Sequence, residues 1–506
     1  MAFIIIFMIL QVIALGPTGC SGGSSGNGRT RKGNPIDAVW QVGPATGPLR
    51  VHPSNPRYFT DGNGKAIYLT GSHTWNNLQD INSDGNPSLP GGFAGGFSGY
   101  LDLLQRYHHN FIRLWILEHA WDEQNGAIIN PHPWPRTGPG NALDGKPKFD
   151  LTKFDGAYFE RLRQRAVAAQ ERGFYVALML FDNWSTGHAG PWKGHPFHVK
   201  NNINGINGDL DNDGLGFEFH TLQIPAITGL QEAYVKKVVE TVNDLDNVLY
   251  EIANETGISK AWQYHMIELI KEYERGKPKQ HPVGMTVGFP VVEVGNAALF
   301  ASSADWISPN SEGGYRDNPP AADGSKVIIS DTDHLWGVGG DHTWVWKSFL
   351  RGLNPIYMDP LDSDADREGA RRAMGDTLIY AKRMGLASMA PCDDLASTTY
   401  CLANPGVEYL VYLPLDPHWT ESWMASARFF WRFRPLFSRF SMWFRGLYKF
   451  TATVDLSAAS GELSVEWFNP STGEITAAGT ITGGANHDFT APFRGDTVLY
   501  IRSRDL

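Results

Sequence analysis

The chain has 506 residues, of which 42% are hydrophobic and 19% charged, a composition typical of folded domains that excludes global disorder. Its net charge of −10, from 43 basic and 53 acidic residues, argues against a protein that coats nucleic acid, because phosphate backbones attract basic surfaces. The length predicts two or three domains, and three cysteines are too few for a disulfide-rich scaffold.

The N-terminus carries an apolar run at residues 2–15, which is too short to span a bilayer and has the length of a signal-peptide core. A glycine and Cys20 follow, an arrangement that resembles bacterial lipoprotein signals, in which the cysteine becomes lipidated. We therefore predict a lipoprotein-type signal peptide at 1–20 and a Gly/Ser-rich flexible tether at 21–48. The protein is then exported as a cell-surface or periplasmic lipoprotein, or as a secreted protein if the signal is an ordinary secretory one.

Eight short apolar runs alternate with amphipathic helical patterns from residue 66 onward. The predicted strands are 66–70, 110–116, 174–181, 248–255, 282–286, 306–308, 326–330 and 355–359, and the predicted helices are 97–108, 154–172, 229–245, 259–275, 342–352 and 364–384. Continuous apolar strands between helices indicate a parallel sheet covered on both faces. Eight of them favour an α/β fold of the closed (β/α)8 TIM-barrel type, in a domain at 49–390 that includes a short N-terminal β segment.

After the barrel pattern, alternating strands separated by turn residues appear at 407–413, 461–468 and 495–501. They predict a small antiparallel β-sandwich at 391–506, interrupted by a Trp/Phe/Arg-rich insertion at 416–450. The insertion is compatible with a membrane-interface hairpin, a sugar-stacking platform, a helical segment packed on the barrel, or a self-association surface. Cys392 and Cys401 are compatible with a disulfide that closes a short loop, or with two free thiols.

Catalytic groups of a (β/α)8 barrel stand at the C-terminal ends of its strands, so polar residues that directly follow the apolar runs are the candidates for chemistry. The fourth strand ends in Asn254 and Glu255, and Asp331 and Asp333 follow the seventh. Carboxylates on nearly opposite strands fit glycoside hydrolysis, in which one acid protonates the leaving oxygen and the other attacks the anomeric carbon or activates water. We therefore predict Glu255, Asp331 and Asp333 as catalytic residues.

The segment Ile252-Ala253-Asn254-Glu255, together with Arg113 in the second strand, resembles clan A of the glycoside hydrolases, the cellulase-like barrels. From about residue 50 to 505, outside the insertion, the layout resembles bacterial cellulase-like proteins that end in a "putative collagen-binding" β-sandwich. Two segments carry this resemblance: the one that opens the barrel at 68–76 and a strand pair at 465–473.

The resemblance to this clan implies roles for individual residues. Glu255 would be the general acid/base, Asn254 would hydrogen-bond the sugar 2-hydroxyl, and Arg113 would keep the nucleophile ionised. The clan has Glu after the seventh strand, where this chain has aspartates, and Asp331 is the expected nucleophile of a retaining mechanism because it directly follows the strand. An aspartate is one methylene shorter, so inversion through a water molecule and a barrel that only binds are the alternatives.

Polar and aromatic residues at the other predicted strand ends are candidate sugar contacts, and Glu251 is predicted to be a barrel-interior or salt-bridge residue. With Asn254 and Arg113, the predicted substrate-binding set comprises His73, Trp75, Asn76, Trp115, Asp182, Trp184, Tyr315, His334 and Trp336. Together they give the predicted cleft a content of His, Trp and Asp that is typical of carbohydrate sites.

Asp209, Asp211 and Asp213, followed by a glycine, match the first half of a calcium loop, in which alternating carboxylates converge on one hard cation. Position 12 of such a loop would be His220 instead of Glu, which contradicts an EF-hand. A structural calcium site with Glu218 as the substitute ligand and a solvated acidic turn are the two interpretations. We expect no cofactor to be needed for catalysis.

These patterns favour an exported glycoside hydrolase that cleaves a polysaccharide or oligosaccharide through Glu255 and Asp331. The expected partners are a carbohydrate, no nucleic acid, and a membrane reached through Cys20 and the segment 416–450. The alternative is a catalytically silent surface protein that binds a glycan or matrix on the same barrel. The sequence leaves the sugar, the linkage and the oligomeric state open.

Overall fold

The computed structural model describes residues 43–82, 95–415 and 450–504. The predicted signal peptide, most of the tether and all but the last residue of the predicted insertion lie outside the described residues. The end of the predicted tether packs on the barrel, since Ala45 is buried and its N–H donates to the Gln170 carbonyl oxygen at 2.8 Å. Within the described ranges, no helix combines the length and apolar character needed to cross a membrane.

Eight parallel strands form a nearly closed barrel, as the sequence predicts. They are β1 (Gly71–His73), β2 (Phe111–Leu114), β3 (Tyr175–Asp182), β4 (Val248–Asn254), β5 (Val283–Thr286), β6 (Trp306–Ser308), β7 (Val327–Asp331) and β8 (Asn354–Met358). Hydrogen-bonded neighbours run in the order β1-β8-β7-β6-β5-β4-β3-β2. The prediction of the first strand at 66–70 is wrong, because Ile67 instead pairs with Phe59 in an antiparallel bridge ahead of the barrel.

Nine α-helices in the described part of the chain accompany the strands. They are α1 (Gly96–Arg106), α2 (Gly156–Glu171), α3 (Asn183–Gly187), α4 (Ala189–Lys193), α5 (Pro225–Val242), α6 (Lys260–Arg275), α7 (Asn296–Ala301), α8 (His342–Leu350) and α9 (Ala365–Arg383). Side-chain caps fix several starts: Asp155 accepts from the Ala157 N–H before α2, and Ser259 from the Trp262 N–H before α6. The long helices α2, α5 and α6 each bury one apolar face.

The seam between β1 and β2 is closed by hydrogen bonds at Asn110 and His109, since the Asn110 N–H donates to the Thr70 carbonyl oxygen and His109 Nδ1 accepts from the Ser72 N–H. Asn110 Oδ1 accepts from the Thr70 N–H at 3.0 Å, and Asn110 Nδ2 donates to the Tyr68 carbonyl oxygen at 2.8 Å. Gly71 is required at this seam, because a Cβ there would lie 2.2 Å from the carbonyl oxygen of Phe111.

The N-terminal end of the barrel is plugged by the segment that leads into it, where Arg50–Val51 pairs with Phe59–Thr60. Leu49 and Phe59 belong to a buried cluster with strand-start residues such as Phe111 and Val327. The opposite end, where the strands finish, is covered by loops that contain two further strand pairs. These are Asp80–Asn82 with Ile128–Asn130, and Arg136–Asn141 with Pro147–Phe149. Chemistry is therefore expected at the C-terminal end of the barrel.

The C-terminal region is an antiparallel β domain. Its strands are β9 (Ala390–Pro391), β10 (Cys401–Asn404), β11 (Glu408–Leu413), β12 (Thr451–Asp455), β13 (Glu462–Asn469), β14 (Glu474–Thr482), β15 (Asn486–Thr490) and β16 (Thr497–Ser503). A six-stranded sheet in the order β9-β10-β11-β16-β13-β14 shares a buried core with the pair β12-β15. The other face of the six-stranded sheet contacts barrel helices, since Trp346 of α8 stacks on Tyr412 at 6.0 Å.

The disulfide proposed from the sequence is not formed. Cys392 and Cys401 are free, although they face each other where β9 meets β10, with the Cys392 N–H donating to the Cys401 carbonyl oxygen at 2.8 Å. Cys401 is fully buried in the sandwich core, and burial raises its thiol pKa. The two side chains therefore behave as small apolar groups in this structure.

Candidate active site

Arg113 organises the C-terminal end of the barrel. Its guanidinium is 1% exposed and donates to groups on two other strands and one loop. The bonds run from Nε to Glu251 Oε2 (2.8 Å), from Nη2 to Asn254 Oδ1 (2.7 Å), and from Nη1 to Asp331 Oδ2 (2.7 Å) and Asp333 Oδ2 (3.3 Å). The prediction that Glu251 is a barrel-interior or salt-bridge residue is confirmed, since it is fully buried and paired with Arg113. A planar cation with five donors suits such convergence of carboxylates.

Asn254 is oriented by two donors. Its Oδ1 accepts from Arg113 and from His334 Nε2, at 3.0 Å in the second case. The His334 Nδ1 therefore accepts from the Ser308 hydroxyl, at 2.7 Å, and burial lowers the pKa of His334 to about 3, so that the ring is neutral. With its oxygen occupied, Asn254 presents its NH2 group as the donor left for a ligand.

Asp331 is a fully enclosed acid of the site. It is 1% exposed, and its Oδ1 accepts from His73 Nε2 at 3.0 Å and from the Asp333 N–H at 2.9 Å, while Oδ2 takes the Arg113 bond. Burial works to raise the pKa of Asp331, but the contacts with His73 and Arg113 outweigh it and hold that pKa below its usual range. Asp331 is therefore a permanently ionised carboxylate whose lone pairs are largely occupied.

Asp333 lies in the one-turn 3-10 helix Thr332–His334 that follows β7. Its only side-chain hydrogen bond within the described residues is the long one to Arg113, and Oδ1 accepts none. Burial, followed by the charge of Asp331, raises the pKa of Asp333 to about 6. Asp333 thus has a free oxygen and a proton affinity that changes its charge near neutral pH.

Glu255 is partly exposed directly after β4. Its backbone has a left-handed φ of 54°, and its carbonyl oxygen accepts from the Phe289 N–H at 2.7 Å, which ties it to the loop after β5. Gly257 and Gly288 allow the two loops to touch, because a Cβ on Gly288 would lie 1.9 Å from the Gly257 Cα. A non-glycine residue in this conformation is held by its surroundings, as is common at functional sites.

Burial and a charge imbalance together raise the pKa of Glu255. Around Arg113 stand the carboxyl groups of Glu251, Asp331 and Asp333, with Glu255 beside them, so one buried cation faces four acids. Burial first, and the charge of Asp333 second, raise the pKa of Glu255 well above its usual value. The site therefore contains an acid kept protonated next to an acid kept ionised, the pairing that acid-assisted bond cleavage requires.

Behind Glu255 a second buried network closes the wall of the site. His220 Nε2 lies 3.1 Å from Glu118 Oε2, and Glu118 also accepts from the Asp182 N–H at 2.8 Å. The His220 Nδ1 is 3.4 Å from the hydroxyl of Thr256, the residue after Glu255. Glu118, His220 and Thr256 are all buried, so this network supports the backbone that carries the acid.

Asp182 belongs to this network and is not placed as the sugar contact that the sequence predicts. It is 1% exposed, its Oδ1 accepts from the Ser185 N–H at 2.8 Å, and its Oδ2 accepts from the Ser185 hydroxyl and the Glu118 N–H. These are the contacts of the N-cap of α3 and not those of a sugar ligand. Burial, then the charge of Glu118, raises the pKa of Asp182 to about 7.

The predicted aromatic contacts divide by exposure. Trp184 is 40% exposed and Trp75 and Trp336 are half-buried, so their faces are accessible, as is part of Asn76. Trp115 and Tyr315 are buried and offer no stacking face. Trp115 instead donates from Nε1 to His73 Nδ1 at 2.9 Å. Sequence reasoning missed Asn77, which is buried and joins the Arg113 carbonyl to the Trp115 N–H.

The acidic loop is assembled differently from the sequence prediction. Carboxylate oxygens of Asp209, Asp211 and Glu218 all lie within 4.8 Å of one another, whereas Asp213 is not part of this cluster. The Asp213 Oδ1 accepts from the Leu215 N–H at 2.8 Å. The cluster therefore includes Glu218, the residue that the sequence suggests as a substitute ligand.

Comparison with known proteins identifies the fold. Residues 122–297 match a family described as a domain of unknown function, DUF6298, and no curated protein matches the chain. A solved structure described as a glycoside hydrolase is 14% identical, with a TM-score of 0.53 over 91% of this chain and 98% of that chain. A glycoside hydrolase family 5 structure from Bacteroides vulgatus ATCC 8482 is also 14% identical, with a TM-score of 0.54 over 91% and 94% of the two chains.

The comparison confirms the predicted architecture of an α/β barrel with an additional C-terminal β region, and its structural neighbours include family 5 of the predicted clan. At this identity the likeness concerns the fold. The C-terminal sandwich lies outside the matched family segment, and its likeness to collagen-binding domains stays a prediction.

Proposed function

We propose that this protein is a glycoside hydrolase in which Glu255 is the general acid/base and Asp333 the nucleophile. The observation that carries the proposal is the pair of unlike carboxyl groups beside Arg113. Glu255 is kept protonated, and Asp333 has a free oxygen and a pKa of about 6. Two carboxyl groups with separated proton affinities at the C-terminal end of a barrel are the requirement for cleaving a glycosidic bond.

The choice of Asp333 over Asp331 rests on access. A nucleophile must bring a lone pair to the anomeric carbon, and Asp331 is 1% exposed with donors on both oxygens. Asp333 is 8% exposed, and the charge of Asp333 raises the pKa of Glu255 more than that of Asp331 does. Asp331 is then a positioning residue, which holds His73, Arg113 and the N–H of Asp333.

The reaction follows from these roles. The Asp333 carboxylate forms a bond to the anomeric carbon as the bond to the leaving oxygen breaks, and Glu255 gives its proton to that oxygen. Water then attacks the same carbon, Glu255 takes a proton from the water, and the ester to Asp333 breaks, so that configuration is retained. The NH2 group of Asn254 is the donor available for the sugar hydroxyl next to the reacting carbon.

Variants of the two acids test this function on a panel of polysaccharides and 2,4-dinitrophenyl glycosides. Glu255→Gln should lower kcat/KM on natural linkages by about 10²–10⁴-fold, and less on dinitrophenyl glycosides, whose leaving group needs no proton. Glu312→Gln, an exposed acid near the same end of the barrel, is the matched control. Equal activity of wild type and Glu255→Gln on every cleaved substrate would contradict the proposal.

A second experiment assigns the nucleophile. Asp333→Ala with added azide should form a glycosyl azide of inverted configuration, whereas Asp331→Ala should not. NMR of the first product released by the wild type should show retained configuration. Azide rescue of Asp331→Ala alone would give the role to Asp331. Sugar binding without cleavage of any substrate would instead support a silent binding protein.

A further inference from the structure

The loop between α4 and the 3-10 helix Phe217–His220 gathers three acids. Oxygens of Asp209, Asp211 and Glu218 come within 4.8 Å of one another. No Lys, Arg or His in the described ranges forms an ion pair with any of the three.

One oxygen of the cluster is buried without a donor. Asp209 is only 9% exposed, its Oδ2 accepts from the Gly214 N–H at 3.1 Å, and its Oδ1 has no hydrogen-bond partner in the structure. Buried acceptors in proteins are almost always satisfied, and a carboxylate oxygen needs a partner more than most. Because Asp209 Oδ1 lies among other carboxylates, the partner that it lacks is expected to be a cation.

Both ends of the loop are fixed in place. Gly208 and Gly216 pack on the Trp192 indole, because a Cβ on either would lie 2.7 or 2.3 Å from that ring. The Gly208 N–H donates to the Phe197 carbonyl oxygen, and the Gly216 N–H donates to the Thr186 carbonyl oxygen at 2.8 Å. The acids therefore sit on a short, anchored loop, and they cannot separate freely to relieve their repulsion.

We propose that residues 209–218 bind one calcium ion through Asp209, Asp211 and Glu218. Carboxylate oxygens are hard ligands, and Ca²⁺ accepts six to eight oxygens in irregular geometry, so that main-chain oxygens and water can complete the shell. Mg²⁺ demands near-octahedral geometry and keeps its water, so the loop should favour calcium. This site is independent of the proposed hydrolase function.

The proposed ion would stabilise the buried network next to Glu255. Glu218 and His220 belong to the same 3-10 turn, and His220 contacts Glu118 and Thr256 next to Glu255. Calcium at Glu218 would therefore stabilise the turn that holds His220. We expect the ion to act as a structural group and to raise the melting temperature.

Calorimetric titration of CaCl2 into the chelator-treated full chain tests the proposal without any substrate. One ion should bind per chain with a Kd of about 10⁻⁵–10⁻³ M. Asp211→Asn and Glu218→Gln should each weaken binding at least about tenfold, because each removes one charged ligand. Asp213→Asn is the matched control in the same loop and should change the Kd less than about threefold.

Neither tested side chain is buried, so the variants should keep the fold, which circular dichroism checks. Calcium should raise the melting temperature of the wild type but not that of the double variant Asp211→Asn, Glu218→Gln. The proposal is overturned if the wild type binds no calcium at a CaCl2 concentration of about 10 mM, which is roughly tenfold above the weakest expected Kd. It is also overturned if Asp213→Asn weakens binding as much as Asp211→Asn, or if Mg²⁺ binds as tightly as Ca²⁺.

Discussion

Trp115 sets the proton position of His73. The indole N–H can only donate, so the His73 Nδ1 that lies 2.9 Å away must accept, and the ring proton stands on Nε2. That proton is directed at Asp331 Oδ1, 3.0 Å away. A buried tryptophan thereby decides which atom of a histidine faces the anionic centre of the site.

Replacing this tryptophan should uncouple the histidine from the aspartate. In Trp115→Phe, His73 is free to adopt the other tautomer, and Asp331 loses a fixed donor. We expect kcat to fall about tenfold, the lower end of the loss known for removing the hydrogen-bond partner that orients a metal-ligating histidine. Trp344→Phe is the control, since Trp344 is also buried and donates to a main-chain oxygen, that of Tyr315, at 3.0 Å. Equal losses in both variants would show a general packing effect.

The pH dependence of kcat/KM should be bell-shaped. Asp333 must be ionised to attack, so activity rises with pH through about 6, and Glu255 must be protonated, so activity falls as pH passes its raised pKa. Asp331→Asn removes a negative charge beside Asp333, which lowers the Asp333 pKa and moves the acid limb to lower pH. The exposed Asp317→Asn is the control. An acid limb unmoved in Asp331→Asn would argue that another group titrates there.

Arg113→Met should cost more stability than the loss of an ordinary ion pair. Glu251 and Asp331 would be left as buried charges without a cation, at about 3–5 kcal/mol, which urea unfolding measures. Adding Glu251→Gln should restore part of this free energy without restoring activity, because Asn254 and Asp331 would still lack their donor. Recovery of activity in the double variant would contradict the role of Arg113.

Gly288→Ala should impair catalysis without touching an ionisable group. The new Cβ would lie 1.9 Å from the Gly257 Cα, so the loops that hold Glu255 must move apart. We expect kcat to fall at least tenfold, since displacements of about 1 Å at a reacting group cost that much or more. Gly229→Ala in α5, where a Cβ meets nothing within 4 Å, should leave kcat unchanged. Steady-state kinetics of the two alanine variants makes the comparison.

Much of this arrangement could be predicted from sequence, because buried parallel strands are continuous apolar runs and their ends carry the polar groups. Glu255 and the two aspartates follow from that rule alone. The rule fails for Asp182, which also ends a strand but whose oxygens cap the helix that starts at once. Ser185, three residues on, is the local signal that could have shown this.

Other features depend on contacts that no local pattern encodes. The difference in exposure and hydrogen bonding between Asp331 and Asp333 arises from the 3-10 turn after β7, which turns one carboxylate inward and leaves an oxygen of the other free. Asn77 matters because it satisfies two main-chain groups of a distant strand. The position of β1 depends on the pairing of Ile67 with Phe59, which lies in the segment that plugs the N-terminal end of the barrel.

At the seam beside Asn110 the barrel has two strand edges, joined by one main-chain hydrogen bond from the Asn110 N–H and by side chains that include Asn110 and His109. No strand ladder in the described part of the chain links β1 to β2. Exposed strand edges recruit other strands and promote aggregation. Loss of the Asn110 side chain would therefore reveal itself as association between molecules during refolding, even though residue 110 lies at the end of the barrel opposite the acids.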